Sequence, residues 1–165
     1  MWRSWTAIEA SVAFGVAGSV LAVAIPAFVQ NLSASKLSEP VEGLDRIVTQ
    51  AVAYAEGRAQ DISFPPSAPL TPSEVPRGVR VLDPPELWEH LTWKSLRFGF
   101  KEEHAFSFAF ESTFEPETQT MRFTAKAHGD LDGDGTLSTF EVRGERLPGQ
   151  PARVIPGMFI DREVE

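Results

Sequence analysis

Asp130, Asp132 and Asp134 alternate along the stretch Asp130-Leu131-Asp132-Gly133-Asp134-Gly135-Thr136-Leu137-Ser138-Thr139-Phe140-Glu141. Carboxylates at alternate positions of a tight loop converge on one point, and that is the chemistry of holding a hard cation. Acids stand at the first, third and fifth places, Gly135 at the sixth, an apolar residue at the eighth and Glu141 at the twelfth. This is the spacing of a twelve-residue calcium loop. Ca²⁺ takes about six to eight oxygens. The candidate ligands are Asp130, Asp132, Asp134, Thr136, Ser138 and Glu141, with Gly135 permitting the sharp turn and Glu141 able to close the site with two oxygens.

The flanks of this EF-hand-like loop read as strands. One enters at His128 and another leaves after Thr139, so a helix-pair switch is not expected. A structural role is: Ca²⁺ neutralises three clustered Asp and staples a loop in a chain that has no cysteine. The competing reading is an acidic turn that binds no metal. In calcium-rich surroundings even a dissociation constant of about 10⁻⁴–10⁻³ M would fill the site.

No enzyme signature accompanies the loop. There is no Gly-x-Ser-x-Gly elbow, no phosphate loop and no histidine pair at ligand spacing; His90, His104 and His128 read as isolated. The formal net charge of -8 over 165 residues argues against a nucleic-acid partner, whose phosphates would be repelled.

The elements that must carry the loop begin far upstream. The sequence is 42% hydrophobic, unevenly spread. From Ala10 to Val29 no residue is charged, and Glu9 stands alone at the head of that run. As a helix it would cover about 30 Å, one hydrocarbon core. Beyond it, Leu37, Val41, Leu44, Val48, Ala51 and Ala55 recur at three- and four-residue steps among Glu39, Glu42, Asp45, Arg46 and Gln50. That is an amphipathic helix with one buried stripe. The expectation is a single helix from about Thr6 to about Gly57, about 75–80 Å long. Pro26 and Pro40 should kink it, and Gly43 should weaken it near Pro40.

Trp5-Thr6-Ala7-Ile8-Glu9, the apolar run, and then Ala24-Ile25-Pro26-Ala27-Phe28 resemble the amino terminus of type IV pilins and pseudopilins. In that family the mature chain opens with an aromatic residue, then Thr, with Glu fifth and a Pro seventeen residues beyond it; Thr6, Glu9 and Pro26 keep that spacing. The resemblance covers roughly residues 1–57. The family leader ends in Gly where this chain has Ser4, and Trp5 replaces the usual Phe. Arg3 fits a cytoplasmic leader.

The resemblance implies a role for Glu9. Prepilin peptidase would cut between Ser4 and Trp5, and the freed Trp5 amine of one subunit would pair with Glu9 of its neighbour as the segments pack. A buried charge demands a partner and so selects one register of assembly. The implied partners are other copies or other pilin subunits, in the inner membrane before assembly and in an extracellular filament, or a periplasmic pseudopilus, after it. A pseudopilin of a type II secretion system fits the same residues. A chain that keeps its leader would instead be a monomeric, signal-anchored periplasmic calcium-binding protein.

Downstream, Pro-rich sequence gives way to strands. Phe106, Phe108 and Phe110 share one face, as do Met121, Phe123, Ala125 and Ala127, with a turn at Glu115-Pro116-Glu117 between them. Arg97–Phe100 and Thr139–Arg143 read as further strands. Trp88 and Trp93 read as core anchors, and Glu86–Leu91 as a short helical turn. The expected fold class is α+β: a long N-terminal helix, half transmembrane and half amphipathic, packed on an antiparallel sheet of about four strands, a pilin-like roll. The expected organisation is a leader at 1–4, a transmembrane or filament-core half at 5–29, an amphipathic half at 30–58 and a β-sheet domain at 59–165. That domain contains the Pro-rich connector 59–93 and the calcium loop 130–141.

Overall fold

A computed structural model describes residues 37–162. The chain divides after Lys36 into two units, and the described residues all belong to the second. The leader at 1–4, the apolar segment at 5–29 and the links from Ser4 to Pro26 lie outside the described residues.

Helix α1 covers residues 37–55. Strand β1 (Ala68–Thr71) follows, then helix α2 (Leu91–Ser95), β2 (Phe106–Glu115), β3 (Thr120–Gly129), β4 (Ser138–Arg146), β5 (Arg153–Val154) and β6 (Phe159–Asp161), with 3₁₀ turns at Gln60–Ile62 and Pro85–Trp88. All strand pairings are antiparallel, in the order β1-β2-β3-β4-β5, with β6 beside β5 on the same edge of β4.

The expected fold class is corrected on two counts. The sheet has six strands instead of about four. Among the described residues α1 is the only long helix, and none of them forms a helix long and apolar enough to cross a membrane. The extra strands were hidden for local reasons. β1 carries Pro69 and is four residues long, an edge position where a missing donor is tolerated. β5 and β6 have two and three residues, too few to display a period. Arg97–Phe100 is not a strand: it is the turn and coil that end α2, and Arg97 has φ 49°.

The strands that were long enough to show alternation fold as their pattern requires. Phe106, Phe108 and Phe110 of β2 and Phe123, Ala125 and Ala127 of β3 all enter the core. The β2–β3 hairpin pairs Phe106 with Gly129 through to Glu115 with Thr120.

Helix α1 closes the core on the same face, with Leu44, Ile47, Val48, Ala51 and Ala55 buried. Leu37, Leu44, Val48, Ala51 and Ala55 of the expected stripe pack on the core, Val41 is 41% exposed, and Pro40, Gly43 and Ile47 join the inner face. The reason is close approach. A Cβ on Gly43 would lie 2.6 Å from Cε1 and Cζ of Phe108, so glycine lets the helix backbone meet that ring. Gly43 is thus a point of close contact between α1 and the Phe108 ring.

Helix α1 is tied at two places. At one, Glu39 Oε1 accepts the backbone N–H groups of Ala105 (2.8 Å) and Phe106 (3.0 Å), and Oε2 pairs with Arg80 at 2.8 Å. At the other, Arg146 Nη1 donates to the carbonyls of Ala55 (3.1 Å) and Arg58 (2.9 Å), satisfying acceptors that a helix end leaves open. Gly57, at φ 69°, lets the chain turn away.

Candidate metal centre

The acidic loop runs from the end of β3 at Gly129 to the start of β4 at Ser138. The two strands close around its base: Gly129 pairs with Ser138, and the Ser138 hydroxyl donates to the Gly129 carbonyl at 3.2 Å. Gly133 (φ 81°) and Gly135 (φ 92°) take the left-handed conformations that such a tight reversal needs.

Asp130 organises the loop. It is 1% exposed. Its Oδ1 accepts the Gly133 N–H at 2.8 Å and its Oδ2 the Gly135 N–H at 3.0 Å. Asp132 Oδ1 accepts the Asp134 N–H at 3.1 Å, and Asp134 Oδ1 the Thr136 N–H at 2.6 Å. The Thr136 backbone bond, followed by its hydroxyl, holds the Asp134 carboxyl below the usual carboxylate range.

One carboxylate oxygen from each of Asp130, Asp132 and Asp134 lies within 4.8 Å of the others, and this triad could hold a metal ion. Three hard oxygens suit Ca²⁺ in type, although an ion of six to eight ligands needs about as many again. Among the described residues no Lys or Arg side chain forms an ion pair with the three, and Arg162 is the cation whose charge helps to hold the Asp134 carboxyl down.

Of the other candidate ligands, Glu141 and Ser138 are placed elsewhere. Glu141 is on β4, opposite Lys126, and its carboxylate pairs with Arg143 Nε at 2.5 Å. The Ser138 hydroxyl is buried and turned to the strand base. Thr136 lies beside the triad and contributes its N–H to Asp134. The structure therefore brings together the first, third and fifth positions and leaves the twelfth on the strand.

A neighbour of the loop was not foreseen. The Pro-rich connector crosses it: Gly78 N–H donates to the Asp130 carbonyl at 2.7 Å, and Arg77 bridges Asp130 in parallel. Gly78, at φ 64°, lies against Asp132 and Gly133, where an added Cβ would be 3.5 Å from the Asp132 carbonyl. A cleft of about 950 Å³ opens between the connector and Gly135 and Leu137.

Each of the three histidines has a hydrogen-bond partner. His104 is fully buried and stacks on Phe100, with ring centroids 4.4 Å apart. Its Nε2 meets Asp83 Oδ2 at 2.8 Å and its Nδ1 meets the Phe106 carbonyl at 2.9 Å. A carbonyl only accepts, so Nδ1 is the donor in the contact with Phe106. His90 caps α2 by accepting the Thr92 N–H at 3.3 Å, and His128 Nδ1 bonds Thr139 Oγ1 at 2.9 Å. Asp83 and His104 are 21 residues apart, and nothing local in the sequence signals their meeting.

No family model, curated protein or solved structure matches the chain.

Proposed function

We propose that the chain is a subunit of a type IV pilus-like filament, held first in the inner membrane and drawn into the filament through its N-terminal apolar segment. The observation that carries this reading is the placement of Thr6, Glu9 and Pro26 around a charge-free run from Ala10 to Val29. A carboxylate at the edge of such a run is costly unless it finds a partner, and the Trp5 amine of a neighbouring subunit is one. Gly15, Gly18 and Ser19 would let neighbouring segments approach closely. The role is structural, not catalytic.

The folded unit offers surfaces such a subunit would use. Residues 37–55 form a helix with one face in the core and a charged opposite face, and the same unit carries a six-stranded sheet that a filament subunit would display. A pseudopilin of a type II secretion system would use the same features. Filaments on the cell surface identify the first, and a secretion defect on deletion identifies the second.

Ser4 favours a different reading, a signal-anchored monomer, because an uncut leader leaves no amine for Glu9. Intact mass and amino-terminal sequencing of protein from native membranes decide between them. A chain beginning at Trp5 supports assembly; retained Met1 refutes it. Glu9→Gln is expected to stay in the membrane and be missing from sheared filaments. Wild-type amounts of that variant in filaments would refute the role of Glu9.

We infer further that the ion of the Asp130-Asp132-Asp134 triad is Ca²⁺ and that it braces the loop. Through the Gly78 N–H on the Asp130 carbonyl, the bracing would extend to the connector in a chain without disulfides.

A further inference from the structure

A second cleft, of about 670 Å³, lies away from the metal loop, and three cations line it: Arg46 on α1, and Arg97 and Lys101 in the coil after α2. The chain is acidic overall, with a net charge of -8. Six of its described cations, Arg80, Lys94, Arg122, Lys126, Arg143 and Arg153, pair with acids. Arg46, Arg97 and Lys101 have no acidic partner among the described residues; the Arg46 guanidinium lies 5.2 Å from the centre of the Phe98 ring. Glu102 is the one acid of the lining.

The rest of the lining is aromatic: Trp88, Phe98 and Phe100, packed on one another at centroid distances of 5.5–5.6 Å. The Trp88 indole N–H is buried and has no acceptor among the described residues. Gly99 also lines the cleft; an added Cβ there would sit 3.1 Å from Cβ and Cγ of Trp88, tighter than ordinary contact.

The turn that presents Arg97 gives the strongest argument. Helix α2 ends with Arg97 N–H bonded to the Lys94 carbonyl at 3.2 Å and Phe98 N–H to the Trp93 carbonyl at 2.9 Å, and Arg97 holds φ 49°. This pair of bonds closes a helix around a left-handed residue, a position where glycine is preferred because it has no Cβ to clash. The chain places an arginine there. A conformationally disfavoured residue whose side chain lines a cleft points to a use for that side chain.

We propose that this cleft is a binding site for an aryl carboxylate, with the ring against Trp88, Phe98 and Phe100 and the carboxylate among Arg46, Arg97 and Lys101. Guanidinium groups match a carboxylate in bidentate geometry, and a flat apolar body suits the aromatic wall. The same chemistry is offered by a free small molecule and by a peptide whose last residue is aromatic. The site stands whether or not the chain assembles into filaments.

The test is a titration of the full chain, in micelles of uncharged detergent, followed through the backbone amide resonances of Gly99, Phe100 and Lys101. The probes are 3-phenylpropionate and acetyl-Gly-Gly-Phe with a free carboxylate, each compared with its carboxamide. Saturable shifts with either carboxylate, and none with its amide, are expected, and the tighter of the two identifies the source. Arg97→Gly should weaken binding about tenfold while the melting temperature stays at or above that of the unchanged chain, since the turn prefers glycine. Lys101→Gln, at an exposed coil position, should also weaken it. Equal responses to acid and amide, no response to either acid, or undiminished binding by both variants would overturn the proposal.

Discussion

Replacing Glu39 with alanine is expected to destabilise the folded unit by about 3–5 kcal/mol. One oxygen of Glu39 accepts two backbone donors, Ala105 N–H at 2.8 Å and Phe106 N–H at 3.0 Å, and both residues are buried. Each buried N–H left without an acceptor costs about 1–3 kcal/mol. The ion pair with Arg80 adds little, about 0.2–1 kcal/mol, because the Arg80 side chain is 56% exposed. Glutamine separates the two contributions. Its amide oxygen can still accept both N–H groups, while its NH₂ gives Arg80 nothing to pair with, so Glu39→Gln should cost only about 1 kcal/mol. Urea unfolding followed by the fluorescence of the buried Trp88 and Trp93 reads both values, with the midpoint shifting and the slope unchanged. An alanine variant within about 0.5 kcal/mol of the original, or a glutamine variant as damaged as alanine, would refute the reasoning, because acceptor geometry would then not be what holds α1 to the start of β2.

Three further outcomes rest on the packing and the charges. Gly144→Ala would place a Cβ 2.2 Å from Cε1 of Phe123 and 2.9 Å from the Arg153 carbonyl; the overpacking should cost about 1–3 kcal/mol in thermal unfolding, and a loss under about 0.5 kcal/mol contradicts the packing. Burial, and after it the nearby Lys126, hold the pKa of His128 below the ordinary 6.5. The unfolded chain therefore takes up this proton first as pH falls. Stability should be full above about pH 6.5 and decline below it towards the lowered folded value, and His128→Gln should flatten the decline; an unchanged slope refutes this. If the triad binds Ca²⁺ with a dissociation constant of about 1 mM, then about 10 mM Ca²⁺ should add about 1.4 kcal/mol of stability. Chelation should reverse the gain and Asp130→Asn abolish it. An unmoved melting curve, with no calorimetric heat on adding Ca²⁺, would exclude the site.

Local pattern alone was enough for the strands and turns that repeat. Successive strand side chains point to opposite faces, so the Phe106, Phe108 and Phe110 series and the Met121 to Ala127 series declare their inner face without any knowledge of the partner. The hairpin reversal and the Asp-rich loop are also local, since both depend on residues within a few positions of one another. The sequence thus determined the β2–β3 hairpin, strand β4, the convergence of Asp130, Asp132 and Asp134, and the amphipathic character of 37–55.

What the tertiary structure decided is contact between distant residues. Whether Val41 or Ile47 faces inward depends on where α1 meets the Phe108 ring, and Gly43 sets that distance. Glu141 completes a linear pattern with the three Asp, yet strand pairing sets it on β4 opposite Lys126, where its carboxylate meets Arg143. The short strands β1, β5 and β6 exist only because longer ones offered edges to pair with. Asp83 meets His104, Glu39 meets Ala105 and Arg146 meets Ala55 across 21, 66 and 91 positions. Such pairs form because folding buries polar groups that must then be satisfied, and the nearest acceptor in space need not be near in sequence.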